Sequence, residues 1–313
     1  MINKPYKQLA NAGTRFHPVL QFLIFAGLFV AFLIIGNLIG TGIVLGVYGL
    51  KTLMALGTLS INAPHFVNAL WILQITGTTI PIFTAPVFYA YVIVAEPKDY
   101  LKYQFRSAWL LIPLVLAIMV FSSPLIEFLS NINQKMVLPP FLKWMRESED
   151  NAQKLTEALL KMRTIWDMIV NVLLIGLATA IVEELMFRGC LQTIFYKWTR
   201  NTHAAVWITA ILFSAFHIEF FGFLPRLLLG VLFGYFVAWS GSIWTGVWAH
   251  FINNSSAVVA TYLYQKKTID TNPDDQHLFN YSAYIISLLI TLLLLFFYHY
   301  TALNKKQTQE ELL

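Results

Sequence analysis

The chain has 313 residues and a formal net charge of +5, with 58% hydrophobic and only 12% charged residues. Soluble domains carry charge on about a quarter of their residues, so an ordinary water-soluble globule is excluded and an all-α polytopic membrane protein is predicted, because helices satisfy their own backbone in lipid. The basic residues sit singly at the ends of apolar runs rather than in a patch, which points to membrane topology and away from a nucleic-acid partner.

In chain order, residues 1–17 carry Lys4, Lys7 and Arg15 without an acid, and Pro18 to Leu50 is uncharged. That run exceeds the roughly 20 residues a span needs, so it is expected to tilt or to break around Gly36, Gly40 and Gly42. It is also too long for a cleavable signal peptide and lacks a small-residue cleavage site. A second span is expected over 69–95, kinked at Pro81 and Pro86, and a third over 108–129 after a polar loop with Lys98, Lys102 and Arg106. Residues 131–165 form the one sizeable polar insertion, with spaced Leu and Met among balanced charges, read as an amphipathic helix near the interface or as a plain connector.

Further spans are expected over 166–187, 204–221, 225–239, 243–263 and 281–303, which makes about eight transmembrane helices in all. The sequence thus divides into a three-span N-terminal region (1–165), a four-helix core (166–263), and a last loop, final span and tail (264–313). Gly230 and Gly234 offer a small-xxx-small face for close helix approach, and Gly36 and Gly40 offer another, within the chain or between chains. With eight crossings both termini share a side. The N-terminal tail, the 96–107 loop, Lys197 with Arg200, and Lys305 with Lys306 all fall there, so the positive-inside rule predicts cytoplasmic termini, in a bacterial cell at the inner membrane.

Within this apolar chain, Ile181 to Gly189 holds Glu183, Glu184 and Arg188. A charge at the centre of a spanning helix costs about 2.5 to 3.5 kcal/mol on insertion scales, so such groups mark functional sites. Glu184 and Arg188 are four apart with the acid N-terminal, the favourable order for a helical ion pair. Glu183 points about 100° away with no local counter-charge, and must face a cavity, water or another helix. The spacing Phe213 to His217 and the spacing His250 to Asn254 each stack two marked residues on one helical face inside other spans. Two carboxylates, two imidazoles and an amide supply what peptide hydrolysis needs, a base for water and donors for an oxyanion.

Taken singly, each group has a plain structural explanation. Glu184 with Arg188 reads as a boundary ion pair, His217 as a packing residue, and Asn253 and Asn254 as interhelical hydrogen bonders. Glu219, two residues past His217, invites a deaminase reading that the lone Cys190 does not support; that one cysteine also excludes an intrachain disulfide and any multi-cysteine metal site.

Together, Glu-Glu-x-x-x-Arg, Phe-x-x-x-His and His-x-x-x-Asn, in that order on three spans, resemble the CPBP intramembrane proteases, the family of type II CAAX-prenyl endopeptidases and bacteriocin-processing or self-immunity proteins. The resemblance covers residues 166–263 and implies an intramembrane catalytic chamber opening toward the cytoplasm. It implies Glu183 as general base, His217 positioning the water, Glu184 and Arg188 holding the base, and His250 and Asn254 donating to the oxyanion. The expected partners are a peptide or lipidated protein substrate and membrane lipids. No cofactor is expected on this reading. The family has also been described as metalloproteases, in which case zinc would draw on Glu183, His217 and His250, although His-Glu-x-x-His is absent. A transporter using the same charges as a relay would be expected to show inverted repeats, and none is evident. A non-catalytic immunity or scaffold protein is the other alternative.

Overall fold

A computed structural model describes residues 16–104, 109–273 and 278–310, the last six by backbone alone. Lys4, Lys7, Arg15 and Arg106, and the side chains of Lys305 and Lys306, which entered the topology argument, lie outside what is described. Ten helices follow one another: α1 (Pro18–Gly57), α2 (Phe66–Ile93), α3 (Pro97–Leu101), α4 (Leu111–Gln134), α5 (Lys143–Leu159), α6 (Ile165–Thr199), α7 (Thr202–Phe216), α8 (Phe223–Ser240), α9 (Ile243–Gln265) and α10 (Tyr281–Glu310). The described residues contain no strand.

Six of these helices are long and apolar enough to cross a membrane: α1, α2, α4, α6, α8 and α10. The two other expected spans are present as helices. α7 is a shorter apolar helix of 15 residues, and α9 has 23 residues but carries His250, Asn253, Asn254, Ser255 and Ser256 along its length. The chain is an integral, all-helical polytopic membrane protein. Exposed Leu23, Ile34, Leu38, Val47, Ile285, Leu289 and Phe296 on α1 and α10 give those two helices a lipid-facing side.

α1 is not broken where its early glycines suggested. The non-helical residue is Gly49 (φ 77°, ψ 174°), a conformation that a side chain resists. Gly36 and Gly40 instead bring α1 onto α2 within the same chain. A methyl at Gly36 would overlap the Thr76 carbonyl and Pro81, and one at Gly40 would overlap the Thr76 hydroxyl. That contact sits on a π-helical turn, Ile75–Thr79, just before Pro81. Pro81 has no N–H to give the carbonyl four residues back, and the freed Gly77 carbonyl accepts from Asn37 Nδ2 of α1 at 3.1 Å.

Hydrogen bonds between the connections sort them into two ends. At the end where α1 starts, the segment after α3 bonds to the start of α9, and His203 Nδ1 lies 2.6 Å from the Tyr235 hydroxyl. At the opposite end, Asn133 bridges the α7–α8 connection, donating to Phe220 O at 2.8 Å and accepting from Leu224 N at 2.6 Å, and Gln265 binds the backbone of Leu160 and Met162. The 131–165 insertion belongs to this second end and does form a helix. Leu155 and Leu159 of α5 pack on Phe66 and Leu70 at the start of α2, and Glu149 accepts from Phe221 N at 3.0 Å. Burial of Glu149 in that contact pushes its carboxyl above the usual range.

Candidate active site

The site is assembled on α6, whose apolar sequence carries it through the core as one helix to Thr199 rather than ending near Phe187. Glu183 therefore lies 18 residues after Ile165 and 16 before Thr199, close to mid-helix. Two π-helical turns, Val172–Ala178 and Leu185–Leu191, flank the α-helical stretch Thr179–Glu184. π turns widen the helix and loosen its hydrogen-bond ladder, and they recur at functional sites.

Glu184 and Arg188 are both fully buried and paired, Arg188 Nη1 donating to Glu184 Oε1 at 2.6 Å. Arg188 Nη2 donates to the Gly230 carbonyl of α8 at 2.9 Å, and one turn further along Gln192 Nε2 donates to the Gly234 carbonyl at 3.1 Å. The Gly230/Gly234 face thus brings α8 close to α7, where a methyl on Gly230 would crowd Ala210, and its carbonyls receive the polar side chains of α6. Phe213 and Phe233 lie against the guanidinium, with its carbon 4.6 and 5.4 Å from the ring centroids. A charge pair enclosed this way costs desolvation, and the added hydrogen bonds and ring faces are what make it tolerable.

His250 of α9 connects the two glutamates. Its Nδ1 is 3.2 Å from Glu184 Oε1 and its Nε2 is 3.9 Å from Glu183 Oε2. A carboxylate accepts, so the shorter contact places a proton on Nδ1 and turns Nε2 toward Glu183. The imidazole is clamped by stacking on Phe233, with centroids 5.0 Å apart. α9 reaches Glu184 because residue 246, one turn before His250, is glycine: a Cβ there would stand 2.6 Å from Glu184 Oε2 and 2.7 Å from Val237. Glu183 Oε2 is buried and has no hydrogen-bond partner among the described residues, and the Glu183 side chain is 13% exposed.

Glu183, Glu184, Arg188 and His250 thus form one contact network. His217 joins it only through an aromatic ring. Phe213 meets His217 edge-on at 5.2 Å and His250 edge-on at 5.8 Å, while His217 Nδ1 is 2.8 Å from its own helix's Phe213 carbonyl. A carbonyl only accepts, so that bond leaves Nε2 of His217 as the acceptor nitrogen. Asn254 is drawn elsewhere: its Nδ2 donates to Ile175 O in the first π turn of α6 at 3.2 Å, eight residues before Glu183. Glu183, His217 and His250, the set that a zinc ion would draw on, do not make a ligand group. No cluster of three or more His, Cys, Asp or Glu placed to hold a metal occurs among the described residues.

Gly246 and Phe233 were missed in the sequence reading. A glycine four residues before a buried histidine on the same face was the available signal for the first, and the aromatic between Gly230 and Gly234 for the second.

Residues 165–256 match the family model described as type II CAAX prenyl endopeptidase Rce1-like. The uncharacterized protein YpbD of Bacillus subtilis (strain 168) is 28% identical over 88 residues, which is 27% of this chain and 42% of that protein. The chain therefore covers less than half the length of this curated relative. No solved structure matches the chain significantly. The matched segment begins and ends around the helices that bring the buried carboxylates and imidazoles together, and over that segment the chain resembles the Rce1-like type II CAAX prenyl endopeptidases.

Proposed function

We propose that the protein is an endopeptidase that hydrolyses a peptide bond of a membrane-associated substrate, a lipidated protein or peptide, with a water activated by Glu183. The observation that carries this reading is the 3.9 Å separation of Glu183 Oε2 from His250 Nε2. It is too long for a direct hydrogen bond and short enough for both atoms to share one water at ordinary contact distances. Glu183 Oε2, buried without a partner, is the acceptor for that water's proton.

In the reaction, the water oxygen bonds to the substrate carbonyl carbon as Glu183 takes its proton. Collapse of the tetrahedral intermediate breaks the C–N bond, and Glu183 returns the proton to the departing amine. Arg188 fixes Glu184, and Glu184 fixes His250 through Nδ1, so the base and its imidazole partner face each other on rigid helices. His250 then holds the water, a part first expected of His217. His217 meets His250 only through the Phe213 ring, and Asn254, which gives one amide hydrogen to Ile175 O, keeps its other for the oxyanion. No step uses a metal, and 1,10-phenanthroline is expected to leave cleavage unchanged; loss of activity restored by zinc would reverse that. The termini are placed on the cytoplasmic side, on the distribution of basic residues.

The test is reconstitution in liposomes with a farnesylated peptide ending in Cys-aliphatic-aliphatic-X and with a hydrophobic peptide library. Wild type is expected to cut at a defined bond and Glu183→Ala to leave the peptides intact. Solute flux without cleavage would replace the protease with a transporter.

A further inference from the structure

Lys102 lies in the loop after α2, outside the 165–256 segment that carries the family match, and the mechanism above does not use it. It is nonetheless 6% exposed, and its backbone holds the left-handed conformation (φ 56°) that side chains usually avoid. The side chain turns inward. Its Nζ donates to the Arg188 carbonyl at 3.0 Å and to the Thr193 hydroxyl, which in turn donates to Gly189 O at 2.7 Å. Arg188 and Gly189 lie in the Leu185–Leu191 π turn, where the regular ladder is interrupted. Lys102 and Thr193 supply donors to two of that turn's carbonyls.

The four-residue segment Leu101 to Gln104, which contains Lys102, also grips α9. The carbonyls of Lys102, Tyr103 and Gln104 accept in succession from Ile243 N at 2.9 Å, Trp244 Nε1 at 2.6 Å and Ser242 Oγ at 3.1 Å. Leu101 closes the gap, its side chain 3.2 Å from where a Cβ on Gly189 would lie. One end of the segment therefore holds the turn that bears Arg188, and the other holds the first turn of the helix that bears His250.

We propose that Lys102 is a positioning residue that sets α6 against α9, fixing the gap between Glu183 and His250. The inference deepens the protease reading and rests on it for its catalytic consequence, but its structural content stands apart from any substrate. Both charge states of the amine carry N–H donors, so the clasp holds across the pH range in which the protein is folded.

Cys190 provides the test, because it is the single cysteine, is fully buried in the same π turn, and has its sulfur 3.7 Å from Pro86 O on α2. Full-length protein in detergent micelles is labelled with N-ethylmaleimide at a fixed pH, as wild type, Lys102→Met, Lys102→Gln and Thr193→Val. Removing the donor is expected to speed Cys190 labelling by about two- to tenfold, the range of one neutral hydrogen bond. Lys102→Gln should fall between wild type and Lys102→Met, and Thr193→Val should show a smaller rise even if Lys102→Met fails to fold. On the farnesylated peptide, kcat of Lys102→Met should fall while KM stays within about twofold, since the reacting groups and not the substrate contacts are displaced.

Equal labelling in Lys102→Met and wild type would overturn the proposal, and so would a loss confined to thermal stability with labelling and kcat unchanged. If wild type itself cuts no peptide, the protease reading fails while the labelling series still decides whether Lys102 positions the two helices.

Discussion

Two small-residue pairs with the same spacing do different things in this molecule. Gly36 and Gly40 seat α1 on the π turn before Pro81, and Gly230 and Gly234 bring α8 against α7 while their carbonyls receive side chains from α6. Each arrangement lies beside a π turn and supplies donors to backbone oxygens, Asn37 to Gly77 in one and Arg188 to Gly230 in the other. The first neutralises a proline kink with a neutral amide and faces lipid. The second spends a buried guanidinium, two carboxylates and an imidazole. Irregular backbone inside a membrane therefore does not of itself mark a site; the charge gathered on it does.

The comparison breaks first at the ion pair. Arg188→Met leaves Glu184 buried without its counter-charge and is expected to cost about 3 to 5 kcal/mol of stability, read as a fall in the detergent melting temperature. A change of under about 1 kcal/mol would mean that the pair is not enclosed as described. Next come the glycines. Gly36→Ala and Gly246→Ala each force a methyl into an occupied space and should cost about 1 to 3 kcal/mol. They should separate in function: Gly36→Ala is expected to leave kcat per folded molecule unchanged, whereas Gly246→Ala pushes on Glu184 and lowers it. Equal kcat in both would remove the distinction drawn here. Asn37→Ala, which only strands the Gly77 carbonyl, should cost about 0.6 kcal/mol, the typical worth of an interhelical hydrogen bond in a membrane.

Much of this was legible from residue types. Hydropathy placed the spans, and the i to i+4 spacing of Glu184 and Arg188 in α6 marked a pair that meets, because helical periodicity is local. The break at Gly49 was not, since nothing in a glycine's neighbours along the chain says which of several will take a positive φ. Nor was the bond from Asn254 to Ile175, because the spacing from His250 fixes a face of α9 but not the height of α6 opposite it. Lys102 read as a loop cation. Only the folded chain shows that loop inserted between α6 and α9.

The pH dependence of stability concerns that lysine. Burial, with Lys197 nearby and Cys190 opposing, pushes the Lys102 ammonium down from the ordinary 10.5 to about 7. Between those values the unfolded chain binds the proton and the folded chain does not, so stability rises with pH; the contribution is full above about 10.5 and is lost as pH falls through about 7. The melting temperature of wild type should climb relative to Lys102→Met between pH 7 and 9, and parallel curves would contradict the burial of the charged amine.

The central claim is that Glu183 takes the proton of a water held against His250. Its most direct test is single-turnover cleavage of the farnesylated peptide by Glu183→Gln, an isosteric change that keeps the Glu184–Arg188 pair and leaves His250 in place. The account predicts a rate lower by about 10² to 10⁴ in protein with unchanged melting temperature. Cleavage at the wild-type rate by that folded variant would contradict it.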